Sequence, residues 1–315
     1  MHMIIEALLL DVLLGDPRGI PHPVEIIGRL IAFLDKKLWT SSRGAKLRGL
    51  LLTACVLAAT GCTVFMLLEI CSLLDSWIRY AAELYLLYAA LAYRSLRDES
   101  FKVYKALDDG DLDAARHSLS YIVGRDTERL DEKGVVRACV ETIAEGYVDG
   151  IASPLFWMAV GGCFGQAALF AWLFKAASTM DSMIGYNDER YHDFGWAAAR
   201  LDDILNFVPA RLGGLLAVAG GLLAGCDARA GWKIFRRDRL RHKSPNSAHG
   251  ESAFAGLLGV RLGGGAFYGG VFEQRPFLGD ALREPEKEDI LRSHRILTCA
   301  TALCAACVYL CGLLS

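Results

Sequence analysis

The chain has 315 residues, of which 53% are hydrophobic and 22% charged, with a formal net charge of -2 and a mean hydropathy of +0.30. That is more apolar material than a soluble core of this length needs, and the near-neutral charge supplies no global field to recruit nucleic acid. The ten cysteines fall mostly inside apolar runs. They read as small buried hydrophobes rather than a secreted disulfide framework, and the Cys304, Cys307, Cys311 spacing reads as packing rather than a metal site.

In chain order, the opening MHMIIEALLLDVLLGD lacks a basic leader and a small-residue cleavage site, so no signal peptide is expected. It reads as a short membrane-associated helix ending at Gly15-Asp16-Pro17. Five runs reach the roughly 20 apolar residues that cross a bilayer: 50–74, 78–96, 151–174, 204–224 and 296–314. The expected fold is therefore all-α, a polytopic helical membrane protein of about five transmembrane helices forming a single embedded domain over 1–315. Basic residues cluster before the first run (Arg29, Lys36, Lys37, Arg43, Lys46, Arg48) and after the fourth (Arg229, Lys233, Arg236, Arg237, Arg239, Arg241, Lys243). The positive-inside rule places both on the cytoplasmic side, making 98–150 a cytoplasmic helical segment and 225–295 a cytoplasmic connection. The connection 175–203 falls on the opposite side if every run crosses once. Gly161, Gly162 and Gly165 give the 151–174 run a second option, a re-entrant turn that returns it to the cytoplasm.

Within 98–150, Phe101, Tyr104 and Leu107, then Leu112, Ala115, Leu119 and Ile122, recur at helical spacing around Gly110, which predicts a helical hairpin. A polar turn, GRDTERLDEKG (124–134), leads into ACVETIAEGYVDGIASPLF (138–156). There Glu141, Glu145 and Asp149 fall four apart on one helix face, with Val136, Val140, Ile143 and Tyr147 on the other. A solvated acidic face is the ordinary reading of such a stripe. Its place at the edge of a span favours acids that are hydrated, paired or cation-bound.

Two further polar clusters exceed what connecting loops need. One, 174–211, holds Lys175, Asp181, Asp188, Glu189, Arg190, Arg200, Asp202, Asp203 and Arg211. The other, HKSPNSAHGESAFAGLLGVRLGGG (242–265), offers Ser244 or Ser247 as a helix cap beside Asn246, Glu251 and Arg261. Backbone N–H groups at such a helix start suit an anion. No GxxxxGK[ST] run occurs, which excludes a P-loop. Asp202 and Asp203 read equally well as partners of Arg200 and Arg211, and His22 as a hydrogen-bonding residue of a proline-shaped turn.

DVLLGDP and PHPV near the start, GRDT with VETIAEGYVDGIASPLF, DSM through FGWAAARLDD to PAR, and SPN through AGLLGVRLGG stand in this order. Together they resemble the adenosylcobinamide-phosphate synthases, the membrane-bound CbiB/CobD family of cobalamin biosynthesis, from residue 11 to 261. The resemblance implies a multi-pass protein of a bacterial-type inner membrane with its active site on the cytoplasmic side. It implies an ATP-dependent ligase that joins the propionate carboxylate of adenosylcobyric acid to the amine of (R)-1-aminopropan-2-ol or its O-phosphate. ATP would activate the carboxylate, with Mg²⁺ and basic side chains neutralising phosphate. On that reading Glu141, Glu145, Asp149 and Asp181 hold magnesium and nucleotide, and Arg125, Asp126, Lys175, Arg190 and Arg211 face phosphate or substrate. Asp202 or Asp203 takes the ammonium proton, and Ser244, Asn246 and Glu251 orient the aminoalcohol. Other enzymes of cobalamin assembly are the protein partners it implies. A transporter is the main competing class, but it calls for mid-span acids and paired repeats, whereas these acids sit at span ends and no repeat is visible. A non-catalytic scaffold of the assembly complex does not need three polar clusters.

Overall fold

A computed structural model describes residues 1–16, 22–40, 44–186 and 188–314. Pro17, Arg18 and Pro21 of the early motifs, and Arg43 of the first basic cluster, lie outside the described residues. The chain forms two compact units, each built from separated segments.

The first unit comprises 1–92, 154–206 and 308–315. It contains α1 (His2–Leu14), α2 (Pro23–Leu38), α3 (Ala45–Leu74), α4 (Ser76–Ala89), α8 (Ser153–Gly162) from Pro154 onward and α9 (Ala167–Ile184). Helix α3 packs on α2, α4 and α9, burying Leu52, Val56, Leu87, Trp172 and Phe174. Its opposite side leaves Leu47, Phe65, Met66, Ile70 and Leu73 exposed, which suits a helix with lipid on its outer face. Cys55 and Cys62 on α3, with Cys163, Cys307 and Cys311 elsewhere, are exposed and unbridged. The expectation that the cysteines are buried thus fails for these five, because an apolar helix all round needs no interior to hide a thiol.

The second unit comprises 93–153 and 207–307. Helices α5 (Tyr93–Asp108) and α6 (Leu112–Ser120) make the expected hairpin, turned at Gly110 with φ 76°. Both pack on α7 (Glu132–Tyr147), whose Val136, Val140, Ile143 and Tyr147 are all buried. Helix α10 (Trp196–Leu223) crosses from the first unit into the second, α11 (Ala228–Asp238) packs on α12 (Ala248–Leu258), and α13 (Glu288–Leu314) closes the chain. Between α12 and α13 lies an antiparallel hairpin, β1 (Leu262–Tyr268) and β2 (Val271–Leu278), which the all-α expectation did not contain. Its tip, Gly269-Gly270, has φ 56° and 81°, the positive-φ pair that a tight two-residue hairpin turn requires.

The protein is helical and of membrane type. Among the described residues, α3, α10 and α13 are long and apolar enough to cross a bilayer, where five such runs were expected. The run at 78–96 falls short because α4 has 14 residues, about 21 Å at 1.5 Å per residue against a core of roughly 30 Å. The run at 151–174 is interrupted. A π-helical turn (Val148–Ala152) precedes α8, and a bend at 163–166, with Gly165 at φ 68°, separates α8 from α9. The run is therefore two helices, α8 and α9, rather than one continuous helix.

Candidate functional site

Helix α7 starts cleanly because Asp131 accepts a hydrogen bond from the Gly134 N–H at 2.8 Å. It presents Glu141 and Glu145 one turn apart, towards the hairpin and α12. The expected stripe does not continue unchanged to Asp149, which stands in the π-helical turn, where wider winding breaks the four-residue phase. Helix α12 crosses α7 closely at Gly250: a Cβ there would lie 2.5 Å from the Ala144 carbonyl oxygen. That approach brings Glu251 alongside Glu141 and Glu145, both of which act on its charge.

Glu141 is 4% exposed and both its oxygens are engaged. Oε1 accepts from the Gly263 N–H at 2.7 Å, and Oε2 pairs with Arg125 Nη2 at 2.6 Å. Burial opposes the Arg125 charge, but Glu141, Tyr268 and Glu251 together outweigh it and move the guanidinium upward from its ordinary value. The next residue of GRDT, Asp126, binds the hairpin tip. Its two oxygens accept from the Gly269 and Gly270 N–H groups at 3.0 and 2.7 Å, while its own N–H donates to the Phe267 carbonyl at 2.7 Å. The motif therefore tethers the hairpin through backbone amides and sets Arg125 against α7.

Glu145 is different. Its side chain is open to solvent, yet protein crowds it closely enough that desolvation dominates its ionisation, as expected for a group lining a cleft. Burial raises its carboxyl, Arg275 and Arg125 work against that, and Glu141 adds to it. Among the described residues no hydrogen bond or ion pair engages the Glu145 carboxylate. Glu251, 4% exposed, is pushed well above the usual carboxyl range by burial, with Glu141 and Glu145 contributing and Arg275 and Arg125 opposing. His242 Nδ1 lies 3.7 Å from Glu251 Oε1 and 3.0 Å from Ser247 Oγ. Burial and Arg275 lower His242 below its ordinary value. Three acids and two guanidiniums thus act on one another within a single cleft.

The remaining expected residues of this unit meet one another before α12. Arg211 donates to Asn246 Oδ1 at 3.2 Å and to the Phe207 carbonyl at 2.5 Å, and lies over the Phe207 ring. Ser244 Oγ accepts from the Asn246 N–H at 3.3 Å, and Asn246 is buried. Lys175, Asp181, Arg190, Asp202 and Asp203 belong to the other unit. There Arg190 pairs with Asp35 at 2.8 Å and stacks on Trp39 and Tyr191. Both Asp202 oxygens accept from Asn206 Nδ2 at 3.1 Å, and Asp203 lies 3.6 Å from Arg200. Lys175 and Asp181 are half-buried on α9.

A family model described as CobD/Cbib protein matches residues 4–297. The chain belongs to the CobD/CbiB family. It is 46% identical to the cobalamin biosynthesis protein CobD of Pelobacter propionicus over 96% of this chain and 92% of that one. It is 40% identical to CobD of Clostridium perfringens, covering 94% and 93%, and 39% identical to the cobalamin biosynthesis protein CbiB of Salmonella arizonae, covering 95% and 93%. No solved structure matches the chain.

For this CobD/CbiB chain, sequence reasoning missed Arg275, Tyr268 and His242. Arg275 sits on β2 with its guanidinium 5.2 Å from the Tyr268 ring and acts on Glu145, Glu251 and His242. The signal was available in AFYGGVFEQRPF, a Gly-Gly pair flanked by aromatic and β-branched residues, which is a hairpin pattern. Among the described residues no group of three or more His, Cys, Asp or Glu is arranged to hold a metal ion. A metal caged by protein alone does not fit this donor set.

Proposed function

We propose that the protein is an ATP-dependent amide ligase of cobalamin biosynthesis, joining adenosylcobyric acid to (R)-1-aminopropan-2-ol or its O-phosphate. The pathway comes from its named relatives. The observation that carries the chemistry is the cleft in which Glu145, uncommitted to any protein donor, faces Arg125 and Arg275 beside a buried Glu251.

Amide formation needs a better leaving group than a carboxylate oxygen. The substrate carboxylate attacks the γ-phosphorus of ATP, so a C–O–P linkage forms and ADP leaves. The amine nitrogen then attacks the acyl carbon, the C–O bond breaks, phosphate departs, and the ammonium proton passes to a base. Phosphoryl transfer is mostly positioning and charge neutralisation. Arg125 and Arg275 supply positive charge in the cleft, and Glu145, which has no protein donor, would hold nucleotide-borne magnesium. Glu141 positions Arg125 and the hairpin, and Glu251 beside His242 orients the aminoalcohol. The base role of Asp202 or Asp203, the nucleotide role of Asp149 and Asp181, and the phosphate roles of Lys175, Arg190 and Arg211 rest on the family resemblance. So does a cytoplasmic site in the cell membrane.

The test is purified protein incubated with adenosylcobyric acid, the aminoalcohol or its phosphate, ATP and Mg²⁺, with the corrinoid product weighed by mass spectrometry. One ATP consumed per amide, with ¹⁸O from the corrinoid carboxylate recovered in phosphate, is the expected result. Amide formed without nucleotide, or phosphate without label, rejects the activation step.

A further inference from the structure

A second cavity lies in the same unit, between the first turns of α5 and α13, with a volume of about 410 Å³. Each helix lines it with one face at the spacing i, i+3, i+4, i+7, the stripe that consecutive helical turns align. From α5 come Arg94, Arg97, Asp98 and Phe101, and from α13 Leu291, His294, Arg295 and Thr298. Three guanidiniums against one carboxylate give a formal charge of 3 − 1 = +2. Asp98 is committed, accepting from Arg94 Nε at 2.7 Å. Among the described residues neither the Arg97 nor the Arg295 guanidinium has a hydrogen bond or ion pair. The floor is satisfied internally: His294 Nε2 lies 2.7 Å from Ser100 Oγ, and Thr298 Oγ1 donates to the His294 carbonyl at 2.8 Å. Arg94, Arg97 and Arg295 are absent from the groups that act on Glu145 and Glu251, so this charge does not serve the carboxylate cleft.

Two unpaired guanidiniums held at one cavity repel each other unless an anion lies between them, and their forked donors match phosphate oxygens. The volume exceeds that of a single small ion, with room for about a dozen waters at roughly 30 Å³ each. The cavity also opens at the start of α13, one of the helices long and apolar enough to cross a bilayer. Exposed Phe101 stands at its edge, an aromatic where span ends commonly carry one. We propose that this cavity is a binding site for phosphate-ester anions, of the kind presented by anionic phospholipid headgroups at the membrane surface, with Arg97 and Arg295 as the paired donors.

The test uses the full-length protein in nanodiscs of phosphatidylcholine alone or with phosphatidylglycerol, and in neutral detergent titrated with inorganic phosphate. Native mass spectrometry reads retained lipid, and thermal unfolding reads protection. The wild type should retain phosphatidylglycerol, and R97Q/R295Q should bind it about 25-fold more weakly, from about fivefold for each basic residue at an anionic surface. K233Q, a charge loss at an exposed site on α11, should behave as wild type. Protection by inorganic phosphate that the double variant loses, with no preference for phosphatidylglycerol, assigns the site to a free phosphate compound. Equal behaviour of wild type and R97Q/R295Q in both arms overturns the proposal, as does an equal loss in K233Q. Both arginines are on the surface, and if the double variant does not fold, R97Q and R295Q are each read singly against the same outcomes.

Discussion

Glu141 and Glu145 stand one helical turn apart and should fail in different ways when neutralised. Glu141→Ala removes the partner of a guanidinium only 15% exposed and the acceptor of the Gly263 N–H. Breaking one side of a buried pair costs about 3–5 kcal/mol, because the remaining charge stays desolvated. Replacing both members with apolar groups of similar size, Glu141→Leu with Arg125→Met, removes that residual charge and should recover most of the loss, apart from about 1 kcal/mol for the unmet amide. Glu145→Gln touches no hydrogen bond and should leave stability within about 0.5 kcal/mol of wild type. Its turnover should nonetheless fall by at least about 10²-fold, the scale of losing a preorganised charge. The assay is a double-mutant cycle on purified protein, with denaturant midpoints for stability and product mass spectrometry for turnover. Additive Glu141 and Arg125 effects would refute the paired-charge reasoning, and near wild-type turnover in Glu145→Gln would remove that acid from the site.

Glu141→Gln keeps an acceptor for Gly263 but leaves the Arg125 charge unpaired, so stability and turnover should fall together, turnover by at least about 10²-fold; single-turnover rates on the folded fraction decide. His249 is fully buried, and burial, helped by Arg211, lowers it to about 4. Its folded pKa lies below the unfolded one, so its contribution is complete above pH 6.5 and lost as pH falls towards 4, up to about 3 kcal/mol. Thermal unfolding of wild type and His249→Phe across that range should diverge, and parallel curves would exclude the effect. Gly250→Val should separate α12 from α7, lowering both stability and turnover, since even a Cβ meets the Ala144 oxygen at 2.5 Å; an unchanged melting temperature speaks against the close crossing. A cysteine at Ser182, exposed on α9, in a background without native cysteines, should react with an impermeant thiol reagent from the cytoplasmic side only; labelling of intact cells from outside would separate that cluster from cytoplasmic ATP.

Much of the helical frame is legible because its signals are local. Val136, Val140, Ile143 and Tyr147 repeat every three to four residues and are all buried, and Gly110 marks its turn by needing positive φ. Hydropathy alone does not tell a single long helix from two short ones. Residues 78–96 and 151–174 are apolar enough but are divided by bends that hydropathy does not register, such as Gly165. In the site, the acids were found because charges at the edge of an apolar helix are costly and stand out. Arg275 was not: the Gly-Gly pair signals its hairpin locally, but the significance of Arg275 comes from the docking of that hairpin on α7 through Gly263 and Glu141, a nonlocal fact. GRDT stands out as a motif, but its work on backbone amides 143 and 144 residues away has no signature in composition or spacing.

A two-stranded ribbon is barely stable alone in water, and this one leaves Val271 and Phe272 exposed. What holds it is a pair of carboxylate clasps, Glu141 at its base and Asp126 at its tip. The ribbon is therefore a natural unit of partial opening, able to detach while the helices beneath stay folded. Because Arg275 travels with it, detachment dismantles the positive side of the cleft. Any anion that bridges Arg275 and Arg125 must, by reciprocity, hold the ribbon down. Occupancy of the cleft and slow amide exchange at Gly263, Gly269 and Gly270 thus become two readings of one equilibrium.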